Sequence, residues 1–119
     1  MSPMSIIRSS ITRAELQKLA QERFGDMVKA VVDIKRGIMA VAGELHADEE
    51  QLLLEDGSKQ ENLWGINLYP DTEGDGWIEF DSMINIRPAQ GNRSMEITDE
   101  NTRRAVRKIV ALAVPFLGL

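Results

Sequence analysis

Apolar and polar positions alternate along the chain with two different periods, and each period marks its own elements. Leu16, Leu19, Ala20 and Phe24 recur at helical spacing, with Lys18, Gln21 and Glu22 between them. Thr12 followed by Glu15 forms a capping box at the start of that run, and Ile11 with Leu16 supplies a hydrophobic staple. Gly25 stops it, which predicts a first helix over 13–24. Upstream, residues 4–8 read as a short strand or an ordered lead-in.

Two β-branched runs follow, MVKAVVDI (27–34) and GIMAVAGEL (37–45), joined by Lys35-Arg36-Gly37. A short connector ending in Gly predicts a hairpin. Both runs are apolar on both faces apart from Lys29 and Asp33, the pattern of strands in the middle of a covered sheet. Asp48 with Gln51 is a second capping signal, and Leu52, Leu53 and Leu54 give an apolar face before Gly57, so a short helix is expected over 48–56.

LWGINLY (63–69) and WIEFDSMINIR (77–87) predict two more strands around the turn-rich connector PDTEGDG. In the second, Ile78, Phe80, Ile84 and Ile86 share a face. A hairpin of the two would gather Asn67, Tyr69, Glu79, Asp81, Asn85 and Arg87 on one polar face. Thr98 is the expected cap of a third helix. Ala105, Val106, Ile109, Val110 and Ala113 face inward from it, and Pro115 cannot continue it.

Helix, hairpin, helix, hairpin, helix defines an α+β class. The expectation is a two-layer domain with a mainly antiparallel sheet of four or five strands and three helices. One domain spans 1–119, with a lead-in at 1–10 and an apolar tail at 115–119. No internal repeat, low-complexity segment or second-domain linker interrupts it.

Composition removes several chemistries. The chain has no cysteine, which excludes disulfides, zinc–thiolate sites and thiol nucleophiles. The opening MSPMSIIRSS lacks the apolar core of a signal peptide. No apolar run approaches the ~20 residues of a membrane span. A cytoplasmic protein with no membrane partner and no cofactor is expected. The net charge of −5 disfavours nonspecific duplex binding, which is driven by phosphate neutralisation, so nucleic acid is a possible partner that is not favoured.

The runs GIMAVAGELHADEE, LWGINLYP and IEFDSMINIRPAQGNRS, in this order, resemble a small prokaryotic family catalogued as a domain of unknown function. The resemblance covers roughly residues 11–95. It implies a bacterial or archaeal cytosolic protein, and it transfers no catalytic residue.

Three constellations carry candidate chemistry. His46, the only histidine, lies in Glu44-Leu45-His46-Ala47-Asp48. If the preceding strand persists, Glu44, His46 and Asp48 point the same way and form a weak candidate metal set. The plainer reading makes His46 a junction residue bonded to a neighbouring carboxylate, and no resident metal is expected. Asp71, Glu73, Asp75 and Gly76 match part of a calcium loop, but Ser82 stands where a bidentate Glu is needed. A solvated hairpin loop is the better reading.

The third is INIRPAQGNRS (84–94). Asn85, Arg87, Gln90, Asn92, Arg93 and Ser94 are types that bind phosphates and amides, and Gly91 lets backbone N–H groups turn toward an anion. Arg103, Arg104 and Arg107 could extend a basic patch. One reading is a small RNA-directed nuclease or phosphoryl-ligand enzyme, with His46 or Glu79 as general base and Arg87 with Arg93 stabilising the phosphodiester. Its catalytic set is His46, Glu79 and Arg87. The plainer alternative is a polar loop in which Arg87 pairs with Glu79 or Asp81 across the sheet.

The favoured function is a non-enzymatic binding or interaction module that self-associates, as a homodimer or with a protein partner. Phe116, Leu117 and Leu119 need burial on the same subunit or a partner, and Trp64 with the helix-two leucines could add to an interface.

Overall fold

The alternating and β-branched runs form a five-stranded sheet in the computed structural model, which describes residues 1–115. In chain order the elements are β1 (Ser5–Ile7), α1 (Arg13–Arg23), β2 (Val28–Asp33), β3 (Ile38–Val41), α2 (His46–Glu55), β4 (Leu63–Leu68), β5 (Ile78–Glu79) and α3 (Glu100–Ala113). The strands lie in the order β1-β3-β2-β4-β5, and every neighbouring pair is antiparallel. This is the expected α+β class, with α1 and α3 on one face of the sheet and α2 on the other, three layers where two were expected. Of the apolar tail expected at 115–119, residues 116–119 lie outside the described residues. Among the described residues, no helix is long and apolar enough to cross a membrane.

The two-faced apolar pattern of β2 and β3 has its expected cause, since the sheet is covered on both sides. Val28, Ala30, Val32, Met39, Val41, Trp64, Ile66 and Leu68 face α1 and α3, where Leu16, Ala20, Val106, Ile109 and Val110 complete a core. Val31, Ile38, Ala40 and Leu63 face the other way, onto Leu53 of α2. Each fully buried Val, Leu, Ile or Met among them contributes about 1.5–3 kcal/mol.

Local signals explain the element ends. The Thr12 side chain accepts from the Glu15 N–H while the Glu15 carboxylate accepts from the Thr12 N–H, closing the capping box. Ile11 and Leu16 are both buried in one cluster, as a staple requires. In the β2–β3 turn the Asp33 carboxylate accepts from the Lys35 and Arg36 N–H groups, each at 2.9 Å. Gly37 then takes φ +70, free of any Cβ penalty.

Four expected element ends need correction. The strand expected over 37–45 stops at Val41, because Ala42 turns to φ 70 and leads the chain out of the sheet. The second helix starts at His46 with Leu45 as N-cap, so Asp48 lies inside its first turn. Asp99, rather than Thr98, caps α3, accepting from the Thr102 N–H at 2.8 Å.

The strand expected over 77–87 pairs only at Ile78 and Glu79. Beyond Phe80 the chain leaves the sheet as an excursion over 82–96, with 3₁₀ turns at Met83–Asn85 and Pro88–Gln90. A single Asp81–Glu96 bridge closes its base. The excursion runs over β4 at Gly65, where a Cβ would stand 2.6 Å from both Cβ and Oγ of Ser82. Gly65→Ala is therefore expected to cost about 1–3 kcal/mol, the usual penalty of an overpacked core, read as a lowered midpoint in thermal melts.

Candidate functional site

The excursion is held by two asparagines. Asn85 is fully buried and reaches the outer edge of β4. Its Oδ1 accepts from the Gly65 N–H at 2.8 Å, and its Nδ2 donates to the Gly65 carbonyl at 2.9 Å and the Met95 carbonyl at 3.0 Å. A side chain thus takes the place of the next strand and satisfies a backbone pair that would otherwise be orphaned. Asn92 ties the far side. Its Nδ2 donates to the carbonyls of Asn85, Ser94 and Glu96, and its Oδ1 accepts from the N–H and hydroxyl of Thr98.

Arg87 is equally committed. Its guanidinium donates to the carbonyls of Ile84, Gln60 and Leu63 and to the Gln90 side chain, and it stacks 4.2 Å from the Trp64 ring centroid. Burial lowers its pKa. Four of its five N–H groups are therefore occupied. It pairs with neither Glu79 nor Asp81, because the missing strand register carries it to the start of β4 instead. Gln90 donates to the Glu61 carbonyl at 3.0 Å, and Ser94 bonds to Glu96. Arg93 is exposed and makes no side-chain hydrogen bond or ion pair among the described residues.

His46 lies elsewhere. Its Nε2 is 2.8 Å from the Ile66 carbonyl, which can only accept, so Nε2 carries the proton and Nδ1 the lone pair. Burial holds the imidazole below its usual value, opposed by the Ile66 bond and reinforced by the Lys29 ammonium. Nearby, Asn67 donates to Glu79 Oε1 at 2.7 Å and to the Asp81 carbonyl at 3.2 Å, and Tyr69 donates to the same Glu79 oxygen at 3.3 Å. Part of the expected polar face is therefore assembled: Asn67, Tyr69 and Glu79 meet, with the Asp81 backbone. Asn85 and Arg87 are not in it, and His46 and Arg87 share no partner.

The candidate metal set is not brought together. Glu44 is exposed and sits 3.6 Å from Arg23, while His46 turns into the sheet. Among the described residues, no group of three or more His, Asp or Glu side chains could hold a metal ion. In the calcium-like loop, Asp71 accepts from Gln17 at 2.9 Å, and the loop borders a cleft of about 840 Å³ with Arg13 against Trp77. Two of the three helix-three arginines are also engaged: Arg103 and Arg107 each sit 4.9 Å from the Phe80 ring centroid.

Sequence reasoning missed two features. The buried stripe of α2 is His46, Glu49 and Leu53, so two titratable groups face the sheet. Glu49 is fully buried, its Oε2 accepting from the Gly43 N–H at 2.9 Å and its Oε1 without a partner. The other feature is apolar. Met83 (69%), Ile86 (40%) and Met95 (39%) are all exposed on the excursion. Met83 was legible as an apolar residue between Asp81 and Asn85 on the predicted polar face of 77–87.

An antiparallel five-stranded sheet, covered on both faces and closed at β4 by a side-chain-tethered excursion, defines an α+β protein of one particular build. The chain belongs to the family described as protein of unknown function (DUF5674), which matches residues 5–112. Among curated proteins and among solved structures, nothing matches it.

Proposed function

We propose that this protein is a non-enzymatic interaction module that self-associates, with the 82–96 excursion as its display scaffold. One observation carries the reading. Asn85, Arg87 and Asn92 are turned inward onto backbone groups, while Met83, Ile86 and Met95 are turned outward. Large exposed apolar side chains gathered on one segment mark contact surfaces. Methionine suits such a surface because its thioether chain adapts to the partner's relief. The tethering supports the same reading, since a loop already ordered loses little entropy on docking.

The sheet edges favour a surface contact over strand addition. β1 has three residues and β5 two, and short edge strands are a common guard against edge pairing. The test is sedimentation velocity across a wide concentration range. A weight-average mass that rises with concentration is expected. A monomer at every concentration would sink the proposal.

A further inference from the structure

We infer that the outer side of the 82–96 excursion is the self-association surface, and that its occupant is the same excursion of a second copy, related by a two-fold axis. The inference rests on the proposed self-association and specifies where it happens. A two-fold contact places one patch against itself, so that patch must be self-complementary in charge as well as shape. The excursion meets the charge demand and presents apolar side chains beside it.

Its apolar part is Met83, Ile86 and Met95. Its charged part is Arg93 and Glu96, on either side of Met95 in sequence. Arg93 is exposed with no side-chain partner among the described residues. The Glu96 side chain is 68% exposed, and its one ionic neighbour, Arg103, stands at 4.0 Å. Arg93 of each copy can therefore meet Glu96 of the other, twice across the axis. The whole protein carries −5, which opposes the approach of two copies. With Arg87 turned inward, the exposed charges of the excursion are Arg93 and Glu96, which balance, so this stretch adds nothing to that repulsion.

The other exposed apolar side chains give no comparable site. Met1 precedes β1, Phe24 caps the end of α1, Leu45 caps the start of α2 and Leu112 lies on α3, each alone on its segment. Three apolar and two charged side chains are few beside the roughly 20–30 residues a side of a standard interface. So small a patch suits a reversible dimer with rapid exchange.

The experiment compares wild type, Met83→Glu, Leu112→Glu, Arg93→Glu and Glu96→Arg by sedimentation velocity, with circular dichroism melts to confirm folding. Met83→Glu is expected to weaken dimerisation at least tenfold, and Leu112→Glu to leave it unchanged. Arg93→Glu and Glu96→Arg should each weaken self-association alone. Mixed in equal amounts they should recover it, because each mixed pair restores both Arg–Glu contacts. A wild type that dimerises while Met83→Glu dimerises equally well overturns the surface and leaves self-association standing. Failure of the mixture to recover overturns the two-fold pairing. A wild type that stays monomeric overturns both.

Discussion

Asn85→Ala is expected to lower stability by about 3–5 kcal/mol, the largest single-residue effect in the molecule. The buried amide serves three backbone groups: the Gly65 N–H, the Gly65 carbonyl and the Met95 carbonyl. Alanine fills none of them. A buried polar group left unsatisfied costs about 1–3 kcal/mol, and the excursion can open enough to admit water to some of the three. For a domain of this length the change appears as a midpoint drop of roughly 10–20 °C in thermal melts. Asn85→Asp separates the roles. Aspartate keeps an acceptor for the Gly65 N–H, but it loses both donations and places a charge in a fully buried position. It is expected to be at least as damaging as Ala. A drop below 1 kcal/mol for Asn85→Ala would mean that the excursion is not anchored through β4.

That residue also shows where the sequence was legible and where it was not. The β2–β3 hairpin could be read because its signals are local: β-branched runs, a short connector and a Gly that takes φ +70. The Thr12–Glu15 box could be read for the same reason. The 77–87 segment carries an equally regular alternation, yet it pairs at only two positions. Its period was right for a strand, but Asn85 supplies through its side chain the bonds that a strand would supply through its backbone. No periodicity separates these two uses of an Asn. The loop chemistry failed for a related reason. Arg87, Asn85 and Asn92 have the donors and acceptors to bind a ligand, and the same donors and acceptors suit them to bind the chain's own carbonyls. Only the fold decides between the two. Burial decides it here, since Asn85 and Asn92 are inside while Arg93 is not.

Glu49 gives the second large effect, and it depends on pH. The side chain is fully buried on the sheet-facing stripe of α2, with one oxygen bonded to the Gly43 N–H and the other unpartnered. Burial pushes its carboxyl well above the ordinary value of 4.5, opposed first by the Gly43 bond and then by the Lys29 ammonium. The folded protein therefore holds this proton at pH values where the unfolded chain has released it. Glu49 favours the folded state most fully below about pH 4.5, and that contribution is lost as pH rises from there toward the raised folded value. Glu49→Gln removes the titration and keeps an acceptor for Gly43, whose own Cβ position, 2.7 Å from Glu49 Cγ, leaves no room for a larger residue. The variant is expected to match wild type in acid and to exceed it by about 1–3 kcal/mol at pH 8, the cost of a buried polar group held without a full set of partners. Urea titrations at a series of pH values would read the divergence. Parallel curves at every pH would show that Glu49 is solvated in the folded protein. His46 acts in the opposite sense. Burial lowers its pKa, so its contribution is complete above about 6.5 and falls as the solution is acidified through the depressed folded value. Two groups three residues apart on one helix face thus give α2 opposing responses to pH, and the Gln variant isolates one of them.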